Sequence, residues 1–135
     1  AIMERDGSGT FVGSSFMLAT ARDWARFGQL YLQDGVWDDV RVLPDGWVRF
    51  GTTPTPESPD EMYGAHWWLK LKPEIGGGSA AASRIPADAY FAIGHEGQTL
   101  TIIPSRRLVV VRLGLSIYID AWNQAAFVAE LLDAL

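Results

Sequence analysis

"YFAIGHEGQTLTIIPSRRLVVVRLG", residues 90–114, carries three apolar runs separated by polar turn residues. "AYFAI", "TLTIIP" and "LVVVRLG" are rich in β-branched and aromatic side chains, and Gly, Pro and Ser lie between them. They read as three strands, over 89–94, 99–103 and 108–114, joined by tight turns. "PSRR" makes an ordinary hairpin turn. "GHEGQ" does not. It sets His95, one of only two histidines in the chain, between Gly94 and Gly97, and follows it with polar Glu96, Gln98 and Thr99. A tight turn needs no imidazole. Glycines let a backbone take unusual φ/ψ or approach a ligand closely, so the segment reads either as a plain hairpin or as the wall of a site.

Helical patterns flank these strands. "TARD" places Thr20 at a helix cap and Asp23 three residues on, a capping box in which Asp replaces the usual Glu. Trp24, Phe27, Gly28, Tyr31 and Leu32 then recur at helical spacing. Gly35 suits a left-handed ending. A short second helix is predicted to start at Pro44, with Trp47 and Val48 on its buried side. Asp120 is expected to cap a closing helix whose apolar stripe is Trp122, Ala125, Val128, Leu132 and Leu135. "YGAHWWLKL" alternates and reads as a fourth strand, with Trp67, Leu69 and Leu71 on one face. Residues 1–19, the proline-bearing "GTTPTPESPDE" and the small-residue "PEIGGGSAAASRIP" read as irregular chain or loop. The order is α+β: an antiparallel sheet with helices on its faces.

Composition narrows the function classes. At 135 residues, 48% of them hydrophobic and six of them tryptophan, the chain is one globular domain or part of one. A net charge of −5 and a pI near 4.8 argue against nucleic-acid binding. There is no cysteine, which excludes disulfides and thiolate metal sites. No apolar run is long enough to span a bilayer, and no signal peptide is visible. The chain opens "AIMERDGSG" without an initiator Met, so an upstream portion is expected and export stays open.

Candidate chemistry is sparse. His66, mid-strand among tryptophans, reads as a partly buried histidine satisfied by one hydrogen bond. Two histidines about thirty residues apart, without HExxH spacing, do not make a zinc site. "GHEGQ" leads into a strand, not a helix, so it is no phosphate loop. "GGGS" at 76–79 lacks the lysine and the helix of a P-loop. Ser14 and Ser15 sit in neither G-x-S-x-G nor S-x-x-K. They read as satisfying backbone groups in a bend.

Taken together, "GTFVGSSFMLATARDWARFGQLYLQDGVWDDVRVLPDGWV", "YGAHWWL" and "GHEGQTLTIIPSRRLVVVRLG", with the closing helix, resemble in order and spacing the serine β-lactamase-like superfamily. That superfamily holds class C β-lactamases, DD-peptidases, related esterases and nylon-oligomer hydrolases. The resemblance covers nearly the whole chain. It implies that residues 1–135 are the C-terminal portion of a β-lactamase-like domain, a partial form of that fold without its nucleophile-bearing part. It places His95-Glu96-Gly97 at the family's Lys/His-x-Gly motif, which lines the cleft. His95 would then be catalytic and, with Glu96 and Gly97, face the substrate. The backbone N–H of Gln98 would be one of two oxyanion-hole donors, worth on the order of 3 kcal/mol to the transition state.

The resemblance further implies a parent serine hydrolase of amides or esters that works through an acyl-enzyme. No metal or organic cofactor is implied. The family's S-x-x-K nucleophile and its Tyr/Ser motif are absent here, so the chain alone is expected to turn nothing over. The alternative is a non-catalytic binding or structural module of the same fold. The last strand would lack a neighbour, which invites a homodimer or the missing N-terminal half as partner.

Overall fold

The computed structural model describes residues 1–13, 15, 17–118 and 121–135. Ser14 and Asp120 lie outside the described residues. In chain order the elements are a hairpin of β1 (Ile2–Met3) and β2 (Met17–Leu18), helix α1 (Ala21–Leu32), a hairpin of β3 (Val36–Trp37) and β4 (Val40–Arg41), and helix α2 (Trp47–Gly51). Strands β5 (Tyr90–Ile93), β6 (Thr99–Ile103) and β7 (Leu108–Arg112) follow, and helix α3 (Gln124–Ala134) closes the chain. No helix among the described residues is long and apolar enough to cross a membrane.

Strands β5, β6 and β7 form an antiparallel sheet in that order. Tyr90 pairs with Ile102, Ile93 with Thr99, Thr99 with Arg112 and Ile103 with Leu108. The sheet is covered on both faces. Leu100 and Ile102 join Trp67 and Tyr90 in a cluster packed by Trp24, Tyr31 and Leu32 of α1. Ile103 joins Phe91, Leu71 and Ile75 in a second cluster, with Ala125 and Val128 of α3. The period-two alternation of β6 thus feeds two cores, and all five of its residues are buried. This is the expected α+β arrangement of antiparallel strands between helices.

The capping box forms. Thr20 Oγ1 accepts from the Asp23 N–H at 3.2 Å, and the Asp23 carboxylate accepts from the Thr20 N–H at 3.3 Å. The Thr20 hydroxyl, backed by the Thr20 N–H, holds the Asp23 carboxyl below its usual range. Gly35, with φ of +80°, ends the α1 turn by donating to Leu30 O at 2.8 Å.

Elsewhere local expectations yield to tertiary contacts. Residues 1–19 are not wholly irregular: β1 and β2 pair across an Asp6 turn, where Asp6 Oδ1 accepts from the N–H groups of Ser8 and Thr10. β3 and β4 turn through Asp38 and Asp39, both with positive φ, as a two-residue hairpin demands. Helix α2 starts at Trp47, not Pro44, and Trp47 is exposed while Val48 packs inward. "YGAHWWLKL" is no regular strand. His66 takes φ of +70°, Gly64 N–H closes a turn onto Trp67 O, and only Trp68 pairs with Phe91 of β5.

The stretch 73–86 is constrained, not free. Ile75 is core, and a Cβ on Gly77 would lie 1.9 Å from Leu71 O. Asn123 caps α3, accepting from the Ala126 N–H at 2.9 Å. Of the expected stripe, Ala125 and Val128 are buried and Trp122 and Leu132 half-buried, while Leu135 is exposed because the helix has ended.

Gly28 is where α1 meets the sheet. A Cβ there would lie 2.6 Å from Val109 Cγ1 and 3.0 Å from Leu100 Cδ1. Helix propensity favours alanine over glycine by up to about 1 kcal/mol, whereas overpacking costs roughly 1–3 kcal/mol. Gly28→Ala is therefore expected to destabilise the protein in urea unfolding. The same change in a Val109→Ala background is expected to recover most of the loss.

Candidate functional site

β5 leaves the sheet at Ile93, and the chain makes one tight 3₁₀ turn, His95–Gly97, before β6 begins. Glu96 and Gly97 both take left-handed φ, +55° and +78°. Gly94 N–H donates to Gln98 O at 2.7 Å and closes the loop. The four residues singled out from sequence, His95, Glu96, Gly97 and Gln98, therefore lie side by side on one turn at one end of the sheet. The His95 side chain is 89% exposed, and its Nε2 lies 3.5 Å from Glu96 Oε1, an ion pair only when the imidazole is protonated. Gln98 N–H makes a single long contact, 3.4 Å, to His95 O. It is weakly engaged, and it belongs to the same turn as the exposed imidazole.

His66 does not join this group. It is exposed on its own turn, which overturns the expectation of a partly buried histidine. Among the described residues no hydrogen bond or ion pair ties it to the 95–98 turn, and no cluster of His, Asp and Glu could hold a metal. A hollow of about 590 Å³ lies at the other end of β5, lined by Arg49, Lys70, Asp88 and Tyr90 among others. None of its lining residues belongs to the turn. Burial pushes the Tyr90 phenol well above its ordinary range.

What holds the turn was not singled out from sequence. The Thr99–Arg112 register puts the last residue of β7 beside it. Arg112 Nη1 donates to the Gly97 carbonyl at 2.6 Å, and Nη2 donates to Ser116 Oγ at 2.7 Å. Ser116 N–H in turn donates to Glu96 O at 2.9 Å. The guanidinium lies 4.1 Å from the centre of the Trp122 ring. Trp122 Nε1 donates to Gln124 Oε1 at 2.7 Å, and Gln124 Nε2 donates to Thr101 Oγ1 at 3.1 Å. A polar chain thus runs from the turn through β7 and α3 to the middle of β6. Two signals in the sequence point to it: Arg112 is the sole charge in an apolar strand, and Gln124 falls among the apolar residues of a helix.

Comparison with known proteins bears on the fold. No family model matches the chain, and no curated protein matches it. A solved chain from Bacillus anthracis, described as a 6-aminohexanoate-dimer hydrolase, superposes with a TM-score of 0.62 at 24% identity. The chain has the fold of part of a β-lactamase-like domain. The match covers 98% of this chain and 34% of that one, so the chain spans about a third of the length of that hydrolase.

Gly97 has a local reason to be glycine. Its φ is left-handed, and a Cβ would lie 2.7 Å from Arg112 Nη1. Gly78 has a similar φ, +74°, but open space around it. In urea unfolding, Gly78→Ala is expected to cost the backbone term alone, about 1 kcal/mol. Gly97→Ala is expected to cost about 1 kcal/mol more, as a part-buried hydrogen bond from a charged donor is displaced. Removing the guanidinium with Arg112→Met should erase that excess.

Proposed function

We propose that this chain supplies one wall of the active site of a serine hydrolase that cleaves amide or ester bonds through an acyl-enzyme. His95, Glu96 and Gly97 face the substrate, and Gln98 N–H is one of two donors to the oxyanion hole. The observation that carries the reading is the 95–98 turn itself. It carries an exposed imidazole and a weakly engaged N–H on one turn, at the end of a sheet whose fold is shared with the 6-aminohexanoate-dimer hydrolase. As a nucleophile adds to the substrate carbonyl carbon, an electron pair moves onto the oxygen. A fixed N–H aimed at that oxygen stabilises the charge without reorganising.

The nucleophile and its base are assigned to the remainder of the parent protein, because neither S-x-x-K nor G-x-S-x-G occurs in this sequence. The same reading gives that remainder, or a second copy of the chain, a place to dock. β7 pairs only with β6 among the described strands, and Leu115, Ile117 and Tyr118 just beyond it are 69%, 70% and 75% exposed. A strand edge with unpaired N–H and C=O groups beside apolar side chains favours such an addition.

The test uses the protein that carries this chain together with its upstream portion. It is expected to be labelled by a serine-reactive fluorophosphonate and to hydrolyse a p-nitrophenyl ester. His95→Ala should lower kcat/KM about tenfold or more, the equivalent of one hydrogen bond to the reacting group. Its melting temperature should hold, since the side chain is exposed. Absence of labelling would favour a non-catalytic module. Light scattering of the isolated chain over a dilution series is expected to show self-association through the β7 side. A monomer at all concentrations would remove the second-copy assignment.

A further inference from the structure

The Gly97–Gln98 peptide unit has two ends. Its carbonyl oxygen accepts the 2.6 Å hydrogen bond from Arg112 Nη1. Its N–H is the Gln98 donor. We infer that Arg112 is a positioning residue for the oxyanion hole: it fixes the plane of this one peptide and polarises it, so that the Gln98 N–H becomes a stronger donor. The inference rests on the reading of Gln98 given above and adds a residue to it.

Three observations carry it. First, the bond is charge-assisted and short, and a cation on a peptide oxygen draws electron density from the nitrogen of the same unit, as in any hydrogen-bonded chain. Second, the guanidinium cannot drift. Ser116 Oγ takes Nη2 at 2.7 Å, the Trp122 ring lies 4.1 Å below, and the Thr99–Arg112 register fixes the backbone. Trp122 is itself tied through Gln124, which is fully buried, to Thr101 in the central strand. Third, the Gln98 N–H has only the 3.4 Å contact to His95 O, so little competes with an incoming oxyanion. Gly94 N–H on Gln98 O and Ser116 N–H on Glu96 O hold the turn on either side, and Arg112 holds the Gly97 carbonyl between them. No proton leaves the amide at any point. The effect is confined to the transition state, where the oxygen carries charge.

The experiment has two arms. In the ¹H–¹⁵N spectrum of the 135-residue chain, Arg112→Met is expected to move the Gln98 amide proton upfield while the Ile102 and Ile103 amides of β6 stay in place. Arg112→Lys, which keeps one cationic donor, should return it part-way. In the parent hydrolase, Arg112→Met is expected to lower kcat about tenfold with KM nearly unchanged, less than the 10²–10³ of removing a donor outright. Arg112→Lys should recover part of the loss.

A folded Arg112→Met whose Gln98 amide keeps its position overturns the inference, as does a loss that appears in KM alone. If the parent shows neither labelling nor turnover, the hydrolase reading fails and the spectrum still decides whether Arg112 polarises the peptide. If Arg112→Met does not fold, the Arg112→Lys spectrum decides: an unmoved Gln98 amide overturns the inference and a part-way shift supports it.

Discussion

Strand β6 has no solvent side. Each of Thr99, Leu100, Thr101, Ile102 and Ile103 is buried, with β5 and β7 on its edges and helices over its faces. A strand covered on both faces must be apolar on both or must satisfy its polar atoms inside the protein. Leu100 and Ile102 meet the first condition on the α1 side, and Ile103 meets it on the α3 side. Thr101 meets the second through Gln124, whereas the buried Thr99 hydroxyl meets neither, having no partner among the described residues. Both helices are therefore placed by what β6 requires, one by apolar contact and one by apolar contact plus a buried hydrogen bond. Because interiors pack at crystal density, a glycine at position 28 lets α1 come this close to Val109 and Leu100 without overpacking.

The same burial explains how an exposed turn can be rigid. The 95–98 turn has no core of its own, and its residues include two with left-handed φ. Its order comes from the Gly94–Gln98 and Ser116–Glu96 backbone bonds and from Arg112 of β7, whose guanidinium reaches the Gly97 carbonyl. Arg112 is held by Ser116 and Trp122, and Trp122 by Gln124. Long cationic side chains lose much rotamer entropy when fixed, but here a planar fork meets two oxygens and an aromatic face at once, which suits arginine and not lysine. Rigidity generated in the middle of the sheet is delivered at its end.

That arrangement suits a donor that has to be in place before charge develops. A loop amide free to rotate would have to be ordered during the reaction, at the expense of the stabilisation it supplies. An amide whose own carbonyl is already clamped has had that ordering done by folding.

Much of this was legible in the sequence by itself, and the rest was not, for identifiable reasons. The three strands, the capping box at Thr20 and Asp23 and the α+β order are local: side-chain period, turn residues and a cap are set within a few residues of chain. The 95–98 turn was legible because a histidine and two glycines in a hairpin are more than a turn requires. The failures come where distant residues overrule local pattern. "YGAHWWLKL" alternates like a strand, but the chain turns at His66 because Gly64 must pass against Gly51 O, 2.1 Å from where a Cβ would sit. "PEIGGGSAAASRIP" looks unconstrained, yet Gly76 and Gly77 are glycine because Asn123 and Leu71 occupy the space a side chain would need. Neither Arg112, within the strand "LVVVRLG", nor Gln124, within the closing helix, stands out from local pattern as a partner of the turn or of β6. Only the antiparallel register and the seating of α3 brought them to Gly97 and Thr101, since a hydrogen bond across 15 or 23 residues leaves no period in the sequence to read.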